Sequence, residues 1–368
     1  MNYLKKMRDY CYHLHLKSYL KSHPTQLKKI ETFNNISKSI LVISNTALGD
    51  TILSSSAIKS LKSSFKDTKI IFLVHKKLIP LFKDFSYIDN IIPFYGGYKR
   101  YFKTIKEIKK YKPKMAIILH GNGPQDIQIA VLSGCSFILK HPTKSNLKSN
   151  LSFDFTQKKQ HTIEDRLDIL RKINAKELYT KLEISKLNNK KTKDKINNYI
   201  KGKKIIIGFQ IGAADTYKMW PLENFIELSQ KLIKWKKDLT IIITGIQKEY
   251  NLAEKITKPF QKNILNSCGL FSIEELPYLI EKMNVLVTND TGTMHLAIAI
   301  DTPTISLFST TNSSMSGPHP SLINKHTVIQ KDGLEVQSQP KKKRNNELMK
   351  LISAQEVFLE LKKKLTHV

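Results

Sequence analysis

Cysteine is scarce in this 368-residue chain: Cys11, Cys135 and Cys268 stand far apart, in no metal-ligand spacing and in no even framework. That excludes a disulfide scaffold and a structural zinc site, and it fits a reducing compartment. Long apolar runs are missing as well. No stretch reaches the roughly 20 residues that cross a bilayer, and the N-terminus lacks the uninterrupted hydrophobic core of a signal peptide. The chain therefore reads as soluble and cytoplasmic. Acidic residues are few, 31 Asp+Glu against 61 Lys+Arg, for a formal charge of +30. Such a field draws nucleic acid, anionic lipid headgroups or phosphorylated glycans. Arginine is sparse beside lysine, and neither a nucleic-acid motif nor an aromatic stacking pattern occurs, which argues against a base-reading protein.

What is present is a repeated alternation. From Ser39 onward short apolar runs alternate with helical patterns: Ile40–Ser44 then Thr51–Ser63, Lys69–Val74 then Lys77–Phe82, Asn90–Phe94 then Tyr101–Tyr111, and Met115–His120 then Gln125–Ser133. After an amphipathic helix at His161–Ile173 and a polar, Lys- and Asn-rich stretch, a second series runs from Lys204–Ile211 to Thr304–Phe308. This alternation implies βαβ units and parallel, doubly wound sheets. The expected division is a basic N-terminal extension (1–36), a Rossmann-like domain (37–185), a linker (186–203), a second Rossmann-like domain (204–335) and a basic loop with a C-terminal helix (336–368). Two such halves are expected to face across a cleft that holds the ligands. Residues 1–30 interleave Tyr and Leu with Lys and Arg, fitting either an interfacial basic helix or a helix packed on the body. The run Pro340–Asn346 reads as a solvated loop, or else as a nuclear-import or phosphate patch.

Three stretches carry chemistry. The first strand ends in Ser44-Asn45-Thr46-Ala47-Leu48-Gly49-Asp50, which sets a carboxylate on a glycine turn where a helix begins. Asp50 there is either a general base or a helix cap. The second series opens with a strand and then Lys218-Met219-Trp220-Pro221, with Pro221 suited to the first helical position. Lys218 is either a cation for a departing diphosphate or a solvated surface lysine, and Trp220 reads as packing. In the third, the apolar strand Asn284–Thr288 runs into Asn289-Asp290-Thr291-Gly292-Thr293-Met294-His295. Free N–H groups and the dipole at such a helix start favour phosphate, Gly292 permits close approach, and Asp290 suits a ribose hydroxyl or a cap. The plain alternative is a strand, a cap and a buried helix with His295 in the core.

Taken together, Leu48-Gly49-Asp50, Lys218-Met219-Trp220-Pro221 and Asn289 to Ala299, followed by Thr302-Pro303, resemble glycosyltransferase family 9, the ADP-heptose:lipopolysaccharide heptosyltransferases. The resemblance runs from about Ser39 to the C-terminus, with weaker echoes at Leu119-His120-Gly121, Glu164–Ile173 and Met349–Leu365. It implies a GT-B architecture and inverting transfer with neither metal nor cofactor. Asp50 would be the base and Lys218 the diphosphate contact. The donor, ADP-heptose or another nucleotide sugar, would also meet Gly49, Gly212, Thr216, Glu249 at the ribose, Phe271, Asp290, Thr291, Gly292, Thr293 and His295. His120 and Asn122 would meet the acceptor, an anionic lipid A and core intermediate of lipopolysaccharide or lipooligosaccharide at the cytoplasmic face of the inner membrane. The turn before Lys218 departs from the family: Ala213 and Ala214 stand where a hydroxyl residue is frequent. That departure keeps a second reading open, transfer of another sugar to a surface polysaccharide.

Overall fold

The computed structural model of the chain describes residues 2–30, 38–121, 123–141, 151–152, 159–332 and 344–366. Asn122, residues 31–36 of the N-terminal segment and residues 340–343 of the basic run lie outside the described residues. The chain divides into two units, Met1–Lys181 and Leu182–Val368.

In the first unit, strands β1 (Ser39–Ser44), β2 (Lys69–His75), β3 (Asn90–Phe94), β4 (Met115–His120) and β5 (Phe137–Lys140) form a parallel sheet in the order β3-β2-β1-β4-β5. It is accompanied by α1 (Asn2–Ser22), α2 (Leu48–Leu53), α3 (Ser55–Ser64), α4 (Tyr101–Lys109), α5 (Gln125–Leu132) and α6 (Thr162–Arg171). The central strands are nearly unbroken Ile, Leu and Val because both faces of the sheet are covered. Leu41, Ile43, Ile71, Leu73, Ala116 and Ile118 share one core with Ile105 and Ile108 of α4 and Ile127 to Leu132 of α5. The expected single helix over Thr51–Ser63 is broken into α2 and α3 at Ser54, whose hydroxyl donates back to the Asp50 carbonyl (3.1 Å). Such back-bonding by serine bends helices.

In the second unit, β6 (Ile205–Gln210), β7 (Leu239–Thr244), β8 (Ile264–Asn266), β9 (Val285–Asn289), β10 (Thr304–Phe308) and β11 (His326–Gln330) form a parallel sheet in the order β11-β10-β9-β6-β7-β8. Its helices include α7 (Lys190–Tyr199), α8 (Leu222–Trp235), α9 (Tyr250–Thr257), α10 (Leu276–Glu281), α11 (Gly292–Ala299) and a C-terminal helix, Ala354–Leu365. One face of the sheet, with Ile207, Phe209, Ile241, Val287 and Leu307, packs against Phe225 and Leu228 of α8, Ile256 of α9 and Val357 and Leu361 of the C-terminal helix. The polar stretch 186–203 contains α7, capped by Asn189, whose side chain accepts from Thr192 N (3.1 Å).

The N-terminal segment is built into the first unit. Leu16 of α1 is 1% exposed within the core. The Tyr12 ring stacks on Tyr98 with centroids 3.7 Å apart and 6° between planes. Beyond the helix, Gln26 donates to the carbonyls of Val131 (2.6 Å) and Cys135 (3.1 Å), and Lys28 N donates to Ser136 O (2.9 Å). Of the two readings of residues 1–30, packing on the body therefore describes one side of α1. Leu16→Ala should remove about 2–5 kcal/mol from the first unit. Both tryptophans, Trp220 and Trp235, belong to the second unit. The circular-dichroism midpoint in urea is thus expected to fall while the tryptophan-emission midpoint holds. An unchanged circular-dichroism midpoint would show α1 to be peripheral to the core.

Candidate active site

Open parallel sheets bind ligands outside the carboxyl ends of their strands, at the point where strand order reverses. In the first unit that point lies between β1 and β4. Asp50 sits in the first turn of α2, directly after β1, and the cap position is Ala47. His120 ends β4, and the register slips by one residue there, so that His120 rather than Leu119 faces Ser44. Irregularities of this kind re-aim side chains beside sites. His120 Nε2 lies 3.5 Å from Asp50 Oδ1, its Nδ1 lies 2.6 Å from Thr46 Oγ1, and Thr46 Oγ1 lies 3.4 Å from Asp50 Oδ2. Asp50, His120 and Thr46 thus form a closed ring of contacts.

Charge is buried beneath this ring. Arg166 of α6 is buried, and its three guanidinium nitrogens make no hydrogen bond among the described residues. Burial lowers its pKa to about 10, opposed by the carboxylates of Asp50 and Asp165, so it stays a cation at neutral pH. His120 is held below the ordinary imidazole value, first by burial and then by Arg166 and Lys140, while Asp50 pulls the other way. Alongside, Asn45 donates to Asp126 Oδ1 (2.6 Å), and Lys140 of β5 donates to Gly121 O (3.1 Å) with its ammonium 4.0 Å from Asp126. Burial raises the Asp126 carboxyl and lowers the Lys140 ammonium. Gly121 is needed here because a Cβ would meet Asp126 Oδ2 at 2.0 Å. Thr46, Arg166, Asp126 and Lys140 were not among the expected site residues.

The second unit repeats the arrangement between β6 and β9. Asn289, at the end of β9, donates to the carbonyls of Gln210 (3.3 Å) and Ile211 (3.0 Å) after β6 and accepts from Trp220 N (3.0 Å). Those three bonds bring the Lys218 turn beside the start of α11. Lys218 Nζ lies 2.6 Å from Asp290 Oδ2, which also accepts from Thr311 (2.7 Å). Lys218 is therefore half-buried and paired, not a solvated surface lysine. Thr291 caps α11, its hydroxyl accepting from Thr293 N (3.2 Å), with Gly292 as the first helical residue.

Other expected donor residues gather around this turn or stand apart from it. The Glu249 carboxylate accepts from Ile246 N (2.9 Å) and lies against Gly212, where a Cβ would meet Glu249 Oε1 at 1.9 Å. Thr216 opens the short turn Thr216–Lys218 and is exposed. His295 is buried on α11. Phe271 lies edge-on to Tyr199 of α7 (5.1 Å), with Lys195 over its ring (5.1 Å). Among the described residues no group of three or more His, Cys, Asp or Glu has metal-binding geometry.

Two doubly wound parallel units, each with reactive side chains at its switch point, match known folds along nearly their whole length. The glycosyl transferase family 9 structure from Veillonella parvula DSM 2008 covers 90% of this chain and 98% of its own, with a TM-score of 0.75 at 18% identity. The ADP-heptose lps heptosyltransferase II of E. coli covers 89% and 98%, with a TM-score of 0.73 at 20% identity. The fold is GT-B, and the chain is a glycosyltransferase. The family model described as glycosyltransferase family 9 (heptosyltransferase) matches residues 145–352, more than half of the chain. The chain belongs to that family. It is also similar to lipopolysaccharide heptosyltransferase 1 of Campylobacter coli, 24% identical over 294 residues, which are 74% of this chain and 84% of that protein.

Asn289 holds three backbone groups at once, so Asn289→Ala leaves buried polar groups unpaired at about 1–3 kcal/mol each. The tryptophan-emission midpoint of the second unit should fall sharply in urea. A midpoint within error of the parent would mean that water replaces all three bonds.

Proposed function

We propose that the protein transfers heptose from ADP-heptose to a hydroxyl of a lipopolysaccharide or lipooligosaccharide core acceptor, by a single inverting displacement that needs no metal ion. The observation that carries this reading is the Lys218–Asp290 pair, 2.6 Å apart at the start of α11. An ammonium has three donors. One is engaged by Asp290, and the remaining two suit the oxygens of a diphosphate drawn to the helix start. The names of similar proteins, lipopolysaccharide heptosyltransferase and ADP-heptose lps heptosyltransferase, support heptose as the sugar.

In this mechanism the acceptor O–H bond breaks toward Asp50 as the acceptor oxygen bonds the anomeric carbon. The carbon–phosphate oxygen bond breaks on the opposite side, and ADP leaves with the bonding pair. Lys218 and the N–H groups opening α11 stabilise the charge that develops on the diphosphate. Gly49, Gly212, Thr216, Glu249, Phe271, Asp290, Thr291, Gly292, Thr293 and His295 are proposed to shape the donor site, and His120 to meet the acceptor.

Asp50→Asn should lower kcat about 10²–10⁴-fold with ADP-heptose affinity retained. Lys218→Ala should lower kcat and weaken donor binding together, each by roughly 10-fold or more, the scale of one charge-assisted hydrogen bond; Lys218→Arg should restore part of both. Product is read by mass spectrometry on a core acceptor with ADP-heptose and, in parallel, with UDP- and GDP-sugars, before and after EDTA. Turnover with another donor alone, or its loss in EDTA, would overturn the donor or the metal-free mechanism respectively.

The acceptor's phosphates and acidic sugars suit a chain of charge +30. No helix of the described residues is long and apolar enough to cross a membrane. We infer peripheral contact with the cytoplasmic face of the inner membrane through the outer side of α1. Met7, Tyr10 and Leu14 are 49%, 60% and 45% exposed there, with Phe102 of α4 at 60% and with Lys17, Lys21, Lys103 and Lys106 exposed on the same two helices. Apolar side chains among lysines fit an anionic interface, where each basic residue contributes about 1 kcal/mol. Replacing Met7, Tyr10 and Leu14 by serine should weaken co-sedimentation with anionic vesicles, and salt should weaken the parent's binding. Equal binding by both proteins would move the contact elsewhere on the basic surface.

A further inference from the structure

We propose that His120 is a second proton carrier in the transfer reaction, joined to Asp50 through the hydroxyl of Thr46. The proposal rests on the reading of Asp50 as base. It goes further, because it gives the abstracted proton a final position on the imidazole.

The ring of contacts sets the sequence of steps. A carboxylate 3.5 Å from Nε2 favours the tautomer with the proton on Nε2, directed at Asp50 Oδ1. Thr46, 2.6 Å from Nδ1, then donates its hydroxyl proton to Nδ1. When Asp50 takes the acceptor proton on Oδ2, that carboxyl O–H faces the Thr46 oxygen, 3.4 Å away. The carboxyl donates to Thr46 as Thr46 passes its own proton to Nδ1. One O–H bond breaks and forms at Thr46, Asp50 returns to carboxylate, and His120 becomes imidazolium beside it. The two longer legs, 3.5 and 3.4 Å, have the length that catalytic hydrogen bonds commonly show before substrate binds.

The surroundings suit that role better than they suit a simple acceptor contact. The charged groups facing His120 are Asp50 on α2, Arg166 on α6 and Lys140 on β5. Burial, helped by Arg166 and Lys140, favours the neutral imidazole, the form that can accept a proton. Asp50 then stabilises the imidazolium once it forms. A carboxylate alone is a weak base for a sugar hydroxyl, and an imidazole in contact with it through Thr46 gives the abstracted proton a second place to rest.

The test uses the full-length enzyme with ADP-heptose and a core acceptor, over a pH series. The parent should lose kcat as pH falls through a limb below about 6.5, because imidazolium cannot accept a proton. His120→Gln and Thr46→Val should each lower the plateau about 10²-fold and abolish that limb, with donor affinity unchanged. Thr46→Ser should keep both plateau and limb. In the Asp50→Asn background, adding His120→Gln should cost little more, since the two groups act in series. His120→Asn serves if the glutamine variant folds poorly. A parent-like plateau and limb in the His120 variants would overturn the proposal. So would a raised acceptor KM with kcat intact, which would make His120 an acceptor contact only. High activity in Asp50→Asn alone would instead overturn the reading of Asp50 as base.

Discussion

Right-handed crossovers in a parallel sheet force connections on the two sides of the first strand to leave for opposite faces. In this chain that constraint operates twice. β1 lies between β2 and β4, and β6 lies between β7 and β9. The carboxyl ends of β1 and β4, and of β6 and β9, are therefore the places where the backbone parts and side chains are left facing a crevice. Asp50 and His120 occupy the first, Lys218 and Asp290 the second.

Those crevices are also where the chain holds its most expensive groups. An ion taken out of water costs several kcal/mol unless it is paired. Lys218 and Asp290 satisfy each other, and Asn45, Gly121, Asp126 and Lys140 form a small network on the same principle. Arg166 differs, since its charge is balanced across space by Asp50 and Asp165 without a hydrogen bond among the described residues. A cation so placed ties the stability of α6 in its position to the charge on Asp50. With burial as the larger cause, it also helps to hold a histidine next to a carboxylate below its ordinary pKa.

The strands were legible because buried parallel strands read as continuous apolar runs, and the local motifs were legible because each places its key residue within a few positions of a strand end. Asp50, Lys218 and Asp290 belong to that class. β5 and β11, edge strands of four and five residues, were not anticipated, although β3 and β8, edge strands of similar or smaller length, were. α7 was hidden by a Lys- and Asn-rich sequence in which Ile196 and Thr192 are its only buried side chains. Thr46, Arg166, Asp126 and Lys140 were missed for another reason: they arrive from a loop, two helices and a strand that only tertiary structure assembles. A signal did exist. Ile163, Arg166, Leu167 and Leu170 fall at helical spacing on one face of α6, and a charge on an apolar face calls for an explanation.

The N-terminal helix bears on the site by contact rather than by attachment alone. Tyr12 stacks on Tyr98, the Tyr98 hydroxyl donates to Gln128 of α5 (3.0 Å), and two residues earlier on α5 Asp126 accepts from Asn45, the neighbour of Thr46. Each link is buried or half-buried, and each is a defined hydrogen bond or ring contact. A helix that merely carried the protein to a surface would need none of them. α1 therefore has two distinct faces: an inner one packed against the elements that lead to the loop after β1, and an outer one of Met7, Tyr10 and Leu14 left to solvent. Removing the whole helix would disturb both, so only substitutions confined to the outer face test that face without disturbing the packing of the inner one.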